Sequence, residues 1–248
     1  MDFTGRHVVI TGASTGIGRA TADRIVALGG RVTLIARRAA LLEDACAQLG
    51  ASAKWAAADV GDKAQLLAAL DSAAAQNGPI DALFLNAGTG GAFAPVQDYA
   101  DAVFDAVLAV NLKSPFWAIA HVLPGMVERG RGSILVTGSL ASERGMAGNV
   151  GYVASKHAVL GLARAVALEA APHGVRCNCI VPGFIETPML DALPPDALAT
   201  MAAATPQGRT GKAGELADVA AFLLSDAASH VTGQSLAVDG GVLGTLRI

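Results

Sequence analysis

The sequence predicts an α/β fold, a doubly wound three-layer sandwich with a seven-stranded parallel sheet. Short apolar runs alternate with longer alanine-rich segments along all 248 residues. Alternation of strands and helices in this way indicates βαβ units and a parallel sheet. Several of the runs are apolar without interruption, which suits strands that are covered on both faces. Right-handed crossovers between the strands then place helices on both sides of the sheet.

The elements follow from the period of the apolar residues. Strands are predicted at seven short runs: 7–11, 31–36, 51–57, 81–85, 132–138, 175–181 and 235–238. Helices are predicted where apolar residues recur at helical spacing: 16–28, 39–49, 63–75, 101–129, 152–171 and 215–225. No linker divides the chain, so a single domain over residues 1–248 is expected. The irregular stretch 184–208, with its four prolines, is predicted to be a lid.

Composition excludes several classes of protein. A chain that is 52% hydrophobic with a formal net charge of -3 is not disordered. The near balance of 18 basic and 21 acidic residues gives no reason to expect nucleic acid. No apolar run reaches the ~18 uncharged residues of a spanning helix, and the histidines lack metal-ligand spacing. Because the first strand begins near residue 7, we expect no signal peptide and a cytoplasmic protein without membrane partners.

A glycine-rich turn follows the first predicted strand. Its residues are Thr11, Gly12, Ala13, Ser14, Thr15, Gly16, Ile17 and Gly18. Glycines in such a turn let the backbone approach a pyrophosphate, whose charge meets the N–H groups at the helix start. The spacing is G-x-x-x-G-x-G rather than the commoner G-x-G-x-x-G, and a plain tight turn is the alternative interpretation.

The end of the second strand bears on the choice of cofactor. Folds that bind NAD usually carry an acidic residue here, which accepts the ribose 2′-hydroxyl group. This chain has Ala36 followed by Arg37 and Arg38, whose guanidinium groups can bind a 2′-phosphate. The pattern favours NADP(H) and leaves NAD(H) open. Thr15 is not the second basic residue that some NADP binders carry, and two solvated surface arginines are the alternative.

Tyr152 and Lys156 are four residues apart in a predicted helix, so they share one face. A nearby ammonium group lowers the pKa of a phenol from its ordinary value of about 10. A shift to about 7 takes roughly 4 kcal/mol. A phenol tuned in this way can protonate a carbonyl oxygen or deprotonate an alcohol. Alone, the pattern is common by chance, and a surface pair is its usual meaning.

Together these motifs resemble the short-chain dehydrogenase/reductase superfamily, in its main single-domain branch with a Rossmann-type NAD(P)-binding fold. The matching motifs, in order, are Thr11 to Gly18, Asn86-Ala87-Gly88, Asn111, Ser139, Tyr152, Lys156, Pro182-Gly183 and Asp239-Gly240-Gly241. Enoyl reductases of the superfamily place the tyrosine and lysine further apart, and its extended branch uses another glycine spacing. The resemblance implies an enzyme that acts on CH–OH donors with NAD(P)+ as acceptor.

The resemblance also implies a catalytic tetrad. Tyr152 would be the general acid and base, and Lys156 would hold the nicotinamide ribose and lower the pKa of Tyr152. Ser139 would hydrogen-bond the substrate oxygen, and Asn111 would hold a water that links Lys156 to solvent. A complete tetrad weakens the alternative of a non-catalytic NADP-binding regulatory protein.

Further residues would contact the cofactor, as the resemblance implies. These are Gly12, Ser14, Thr15, Gly16, Ile17, Gly18, Arg37, Arg38, Asp59, Val60, Asn86, Ala87, Gly88, Tyr152, Lys156, Pro182, Gly183, Ile185 and Thr187. Asp59 and Val60 would meet the adenine ring, and Thr187 the nicotinamide. The familiar Asn-Asn-Ala-Gly run begins with Leu85 here, and the loss of that first asparagine is expected to loosen its hydrogen-bond network slightly.

The substrate would lie above the nicotinamide, where the sequence offers few cations. Neither 87–100 nor 177–208 contains Lys or Arg, and only Arg144 could reach the pocket. A carboxylate or phosphate usually needs a cationic clamp. We therefore predict an uncharged, fairly apolar secondary alcohol or ketone. Its predicted contacts are Ser139, Tyr152, Phe93, Met146, Phe184 and Met189.

Two further expectations concern partners. A specific alternative function is 3-oxoacyl carrier protein reductase, which needs a basic patch for an acidic carrier, and Arg129 and Arg131 could contribute to one. The resemblance also implies a homotetramer, with a dimer as the alternative. Its interfaces would be built from 101–129, 152–171 and the C-terminal strand.

Overall fold

A computed structural model describes residues 1–188, 190 and 195–245. Its strands, in chain order, are β1 His7–Thr11, β2 Arg31–Ala36, β3 Ala53–Ala57, β4 Ala82–Leu85, β5 Gly132–Thr137, β6 Val175–Pro182, β7 Ile185–Glu186, β8 Gly211–Lys212 and β9 Ser235–Val238. Seven of them form one parallel sheet in the order β3-β2-β1-β4-β5-β6-β9, and β7 pairs separately with β8. The predicted α/β fold with a seven-stranded parallel sheet is confirmed.

The structure has helices close to all six predicted places, and one more, Pro195–Ala204, inside the stretch 184–208 that was expected to be irregular. They are α1 Gly16–Ala27, α2 Ala39–Leu49, α3 Lys63–Asn77, α4 Asp101–Leu108, α5 Ser114–Glu128, α6 Val150–Ala170, α7 Pro195–Ala204 and α8 Ala213–Leu224. The predicted helical segment 101–129 is helical over Asp101–Glu128, with a π-helical turn, Ala109–Lys113, between α4 and α5.

The core has two halves, one on each face of the sheet. Leu66 of α3, Ile119 of α5 and Leu160 of α6 pack on one face. Ile25 of α1 and Leu216 of α8 pack on the other, together with α2. Every residue of β1 is buried. This burial on both faces explains the uninterrupted apolar runs of the sequence.

The connection after β3 creates the crevice in which a ligand can lie. The chain runs outward from β1 through β2 to β3 and then crosses to β4, on the other side of β1. The loops that follow β1 and β4 therefore leave the sheet in opposite directions. Ligands of open α/β folds bind at the carboxyl ends of the strands at such a switch point.

The segment Asp101–Glu128 is apolar over much of its length. By length and composition alone it could cross a membrane, and in the described part of the chain it is the one segment that meets this test. Lys113 interrupts its apolar run. Ile119 and Met126 lie in the core, whereas Phe116 is 52% exposed.

A buried polar cluster lies at the amino ends of β1 and β2. The fully buried His7 ring has its Nδ1 atom 2.9 Å from the carbonyl oxygen of Gly78 and its Nε2 atom 2.9 Å from the hydroxyl oxygen of Thr33. Asn77 also donates to that hydroxyl oxygen, at 3.0 Å. A carbonyl can only accept, so we infer that Nδ1 carries the hydrogen and that Nε2 accepts from Thr33. Burial lowers the pKa of His7 and keeps the ring neutral.

Candidate active site

The glycine turn is packed too closely for larger side chains. A Cβ atom on Gly12 would lie 2.9 Å from the Cα atom of Ala87, and one on Gly18 would lie 2.5 Å from the Gly12 carbonyl oxygen. Gly12 and Gly16 also have φ angles of 66° and 59°, which favour glycine. A Cβ atom on Gly16 would lie 3.2 Å from Thr187. The turn thus brings bare backbone to the start of α1, which fits a pyrophosphate.

Hydrogen bonds join this turn to the end of β4. The Thr11 hydroxyl oxygen accepts from the N–H groups of Asn86 and Ala87, both at 3.1 Å. The Asn86 amide donates to the carbonyl oxygens of Thr11 and Gly12, both at 3.3 Å. Leu85, which replaces the first asparagine of the family run, is a buried core residue. Asn86 and Thr11 therefore make the bonds between the two strand ends.

The two arginines after β2 take different positions at the rim of the turn. Both are exposed. The Arg38 guanidinium donates to the hydroxyl oxygens of Ser14, at 3.1 Å, and Thr15, at 3.2 Å. Arg37 comes directly after Ala36, which ends β2. A cationic group thus lies against the polar side chains of the glycine turn.

The end of β3 offers a carboxylate and main-chain groups. One Asp59 carboxylate oxygen accepts from the N–H group of Gly61 at 2.9 Å, which shapes the turn after β3. Val60 is 6% exposed and packs into the core. A ligand at this strand end would therefore meet the main chain of Val60 rather than its side chain.

The π-helical turn carries Asn111 and has a local cause. The Ser114 N–H group bonds to the carbonyl of Ala109, five residues back, and the Ser114 hydroxyl donates to the carbonyl of Val110 at 2.8 Å. Pro115 has no N–H group, so it cannot make the ordinary bond to the carbonyl four residues back, that of Asn111. Such turns occur often at functional sites.

The Asn111 side chain holds the loop after β4 to α6. Its carbonyl oxygen accepts from the N–H group of Thr89 at 2.8 Å. Its amide nitrogen donates to the carbonyl of Thr89 at 2.9 Å and to the Ser155 hydroxyl oxygen at 3.0 Å. Both amide hydrogens are thereby engaged. A water at Asn111 would be held by the main-chain carbonyl, which Pro115 leaves without its usual helical donor.

Tyr152 and Lys156 lie in the first turns of α6. The Lys156 ammonium nitrogen is 5.6 Å from the centre of the Tyr152 ring and donates to the carbonyl oxygen of Thr137 at 2.7 Å. Lys156 is 4% exposed. Thr137 ends β5, so the sheet fixes the ammonium group beside the phenol. The structure thus brings the two predicted residues together at a strand end.

Ser139 begins a short helical turn, Leu140–Ser142, that packs against α6. Its hydroxyl oxygen accepts from the N–H group of Ala141 at 3.2 Å, and its own N–H group donates to the Ser142 hydroxyl oxygen at 3.1 Å. Because its oxygen accepts here, its hydrogen can point outward to another acceptor. A Cβ atom on Gly138 would lie 2.8 Å from the Cys179 sulfur, so the chain reaches Ser139 through a glycine.

The predicted substrate residues differ from one another in their exposure to solvent. Phe93 is 71% exposed and Met146 is 38% exposed, beside an open, mostly apolar groove of about 400 Å³. Phe184 is half-buried. Ile185, a predicted cofactor contact, has its side chain in the core, so only its main chain could meet a ligand. Met189 lies outside the described residues.

The guanidinium group of Arg144 is engaged by main-chain carbonyls. Its guanidinium donates to the carbonyl oxygens of Glu143 at 3.3 Å and Leu243 at 3.0 Å. The C-terminal segment therefore holds the cation that the sequence placed nearest the pocket. The loop that follows Ser139 is joined to the same part of the fold by a bond of 2.6 Å from Ser235 to Glu143.

A larger cavity, of about 520 Å³, lies at the opposite edge of the sheet. Arg6, Arg131 and Arg176 line it. Arg6 pairs with Asp226 and Arg131 with Asp81. Arg176 donates to the main-chain carbonyls of Leu223, in the last turn of α8, and Ser225. Their guanidinium groups are engaged in holding the fold, and the cavity is remote from Tyr152.

Asn149 is a site residue that the sequence reasoning missed. It is 1% exposed, and its carbonyl oxygen accepts from the N–H group of Tyr152 at 3.3 Å, which caps α6. Its amide donates to the carbonyl oxygen of Gly90 at 2.8 Å. The sequence does contain a signal for this residue. Asparagine is a preferred helix N-cap, and Asn149 stands three residues before Tyr152, where a helix was predicted to begin.

Comparisons with known proteins bear on this geometry. A family model described as enoyl-(acyl carrier protein) reductase matches residues 12–243. Levodione reductase of Leifsonia aquatica is 39% identical, over 96% of this chain and 94% of that protein. Cis-4-hydroxycyclohexanecarboxylate dehydrogenase of Sinomonas cyclohexanicum is 38% identical, over 96% and 97% of the two chains.

Solved structures agree with the sequence comparisons. A crystal structure of levodione reductase has a TM-score of 0.95 and 37% identity, and the match covers 98% of this chain and 100% of that one. The 3-ketoacyl-(acyl-carrier-protein) reductase of Brucella melitensis, complexed with NADH, has a TM-score of 0.91 and 31% identity, over 96% and 98%. The chain belongs to the short-chain dehydrogenase/reductase superfamily, as its motifs predicted. It is an oxidoreductase that acts on CH–OH groups with a nicotinamide cofactor.

Proposed function

We propose that this enzyme interconverts a secondary alcohol and a ketone on an uncharged, fairly apolar substrate, with Tyr152 as its proton donor and acceptor. The observation that carries the proposal is the Lys156 ammonium group, held by Thr137 at 5.6 Å from the centre of the Tyr152 ring. A fixed positive charge beside a phenol stabilises the phenolate that proton transfer leaves behind.

The proposed roles follow from which atoms are already engaged. When bound, the nicotinamide cofactor supplies hydride to the substrate carbon or accepts it. The Ser139 hydroxyl, whose oxygen accepts from Ala141, donates its hydrogen to the substrate oxygen. In reduction the Tyr152 phenol gives its proton to that oxygen, and in oxidation the phenolate takes it back. Asn111 holds the water that links Lys156 to solvent.

The cofactor proposal extends to the specificity for NADP(H). Arg37 and Arg38 follow a strand end that carries Ala36 rather than a carboxylate, and Arg38 lies against Ser14 and Thr15. Two guanidinium groups at this rim favour a 2′-phosphate. NAD(H) remains the alternative, since the Brucella relative is complexed with NADH. The adenine would meet Asp59 and Val60, the pyrophosphate Gly12 to Gly18, and the nicotinamide Pro182, Gly183 and Thr187. Asn86 to Gly88 and Ile185 would be further cofactor contacts.

The substrate proposal rests on the apolar side chains that are predicted to face the substrate and on the engagement of Arg144. Phe93, Met146 and Phe184 are the proposed contacts in the described part of the chain, and Arg144 is bonded to Leu243. One relative nevertheless acts on a hydroxycyclohexanecarboxylate. The test compares turnover of cyclohexane-1,4-dione with that of 4-oxocyclohexanecarboxylate, each with NADPH and with NADH. A clear preference for the carboxylate would overturn the proposal of an uncharged substrate.

The alternative of a 3-oxoacyl carrier protein reductase has support from the Brucella relative. Its proposed docking residues are less suitable in the structure. Arg129 donates to the carbonyl of Ile80 and Arg131 pairs with Asp81, at the amino end of β5 and away from Tyr152. Including a 3-oxoacyl thioester in the same assay tests this alternative. Binding of NADPH without turnover of any carbonyl would favour a regulatory protein.

We also propose that residues 1–248 form one domain with a lid over 184–208, in a cytoplasmic homotetramer. Exposed apolar side chains lie on the three expected interfaces: Phe116 of α5, Leu168 of α6 and Leu236 of β9 are 52%, 77% and 38% exposed. Apolar groups exposed on three faces favour assembly. Light scattering tests the homotetramer, with a dimer as the alternative and a stable monomer as the contrary result.

A further inference from the structure

The loop after β4, residues 86–91, is bonded to the backbone of Tyr152 through two separate sets of side chains. In the first set, Asn149 donates to the carbonyl oxygen of Gly90 at 2.8 Å and accepts from the Tyr152 N–H group at 3.3 Å. A single buried amide thus joins the loop to the amino side of Tyr152.

The second set reaches the carboxyl side of the same residue. Asn111 donates to Thr89 and to the Ser155 hydroxyl oxygen, and that hydroxyl donates to the Tyr152 carbonyl oxygen at 2.7 Å. Asn149, Asn111 and Ser155 are 1%, 2% and 0% exposed. Bonds this well buried do not exchange readily with water, so the loop and Tyr152 are held as one unit.

We infer that Asn149 is a positioning residue, which fixes the loop after β4 relative to Tyr152 by joining Gly90 to the first turn of α6. This inference rests on the proposed function, in which Asn86 to Gly88 line the cofactor and Tyr152 moves the proton. The two bonds of Asn149, called the clamp below, then set the separation between the bound cofactor and the Tyr152 phenol. A displacement of about 1 Å at such a place can cost on the order of 10²-fold in rate.

The same residue also caps α6, and the two roles can be separated by substitution. Serine is a good N-cap, so Asn149→Ser keeps an acceptor for the start of the helix. It has no amide to reach Gly90, so the clamp is lost. Asn149→Ala loses both. Asp62, which caps α3 by accepting from the N–H groups of Ala64 and Gln65, offers a control. Asp62→Ala removes a helix cap and the bond from the Gln65 side chain, and neither bond involves Gly90.

Two measurements test the inference. The first is hydrogen exchange at the amides of Thr89 and Ala94, which bond to Asn111 and Gly148 and report on the loop without any substrate. Exchange should be faster than in the unmodified protein in both Asn149 variants and unchanged in Asp62→Ala.

The second measurement is the steady-state reduction of cyclohexane-1,4-dione. We expect kcat to fall at least about tenfold in both Asn149 variants, with the Kd for NADPH within about twofold of its original value.

The outcomes separate this inference from the proposed function. Original exchange rates and kcat in Asn149→Ser, with loss confined to Asn149→Ala, would show that Asn149 only caps the helix and would overturn the inference. Failure of the unmodified enzyme to reduce any carbonyl would instead count against the proposed function. The exchange rates of the loop would still decide whether the clamp exists.

Discussion

The Lys156 ammonium group donates a 2.7 Å hydrogen bond to the main-chain carbonyl of Thr137, the last residue of β5. A flexible side chain on a helix is thereby tied to the rigid edge of the sheet. Lys156 is 4% exposed, so this bond lies largely out of contact with solvent.

Replacing Lys156 tests both roles of this contact. Lys156→Met removes the charge and leaves the carbonyl of Thr137, a half-buried residue, without this donor. We expect a loss of about 1–3 kcal/mol in the free energy of unfolding, together with a large fall in kcat. Urea denaturation and steady-state kinetics measure the two effects. Lys113→Met, on the exposed side of the π-helical turn, is the control and should change neither.

Tyr152→Phe should remove the proton donor and leave the fold unaltered. Loss of a general acid typically costs about 10²–10⁴-fold in rate, and we expect kcat to fall by that range. Titration with NADPH should give a nearly unchanged Kd. A variant that keeps more than about a tenth of the original kcat would exclude Tyr152 as the acid and base.

Arg37→Ala tests the proposed contact with a 2′-phosphate. A hydrogen bond to a charged group contributes about 1.5–3 kcal/mol, so the Kd for NADPH should rise about 10- to 100-fold. The Kd for NADH should change little. Arg31→Ala, at the amino end of the same strand, serves as the control. Equal changes for both cofactors would argue against the contact.

Gly18→Ala should damage the cofactor site by overpacking. The added Cβ atom would lie 2.5 Å from the Gly12 carbonyl oxygen and 2.8 Å from the Asn86 amide. We expect at least about a tenfold loss of NADPH affinity and a destabilisation of about 1–3 kcal/mol. In the described part of the chain a Cβ atom on Gly161 of α6 would have no neighbour within 4 Å apart from the adjoining residues and backbone of its own helix. Gly161→Ala should therefore stabilise the protein by about 0.5–1 kcal/mol.

His7 predicts a pH dependence of stability. Its pKa in the folded protein is lowered by burial, so the unfolded chain binds a proton first as the pH falls. Its contribution is complete above the unfolded value of about 6.5 and is lost as the pH falls from there through the folded pKa. The free energy of unfolding should decrease by up to about 1.4 kcal/mol per pH unit in that range.

Urea denaturation between pH 8 and pH 5 measures this slope. His7→Gln should lose part of the slope, because glutamine does not titrate. His157→Gln provides the control, since His157 is exposed on α6 and should leave the slope unchanged. Parallel curves for the original protein and His7→Gln would contradict the assignment.

Much of this architecture was predictable because its determinants are local. The strands follow from uninterrupted apolar runs. The turn after β1 follows from glycines at positions where a side chain does not fit. The break at Ala109–Lys113 was not, because the apolar pattern continues from Val107 to Val110 and Leu112. It depends on particular bonds made by Ser114 and on the missing N–H group of Pro115. The link from Asn149 to Gly90 joins residues 59 positions apart and becomes visible only in three dimensions.

The amount of helix and the placement of Asn111 depend on the π-helical turn in different ways. A π-helical turn holds about one residue more than an α-helical turn. Deletion of a single codon within 109–113 would therefore allow a regular α-helix through the break. Because the wide turn is what accommodates the extra residue, α4 and α5 would keep nearly the same relative orientation after the deletion. Such a mutant should retain the circular dichroism of the original protein, whereas Asn111 would no longer face Thr89 and Ser155. At this locus the loss of one residue would leave the amount of helix unchanged and would disarrange the active site.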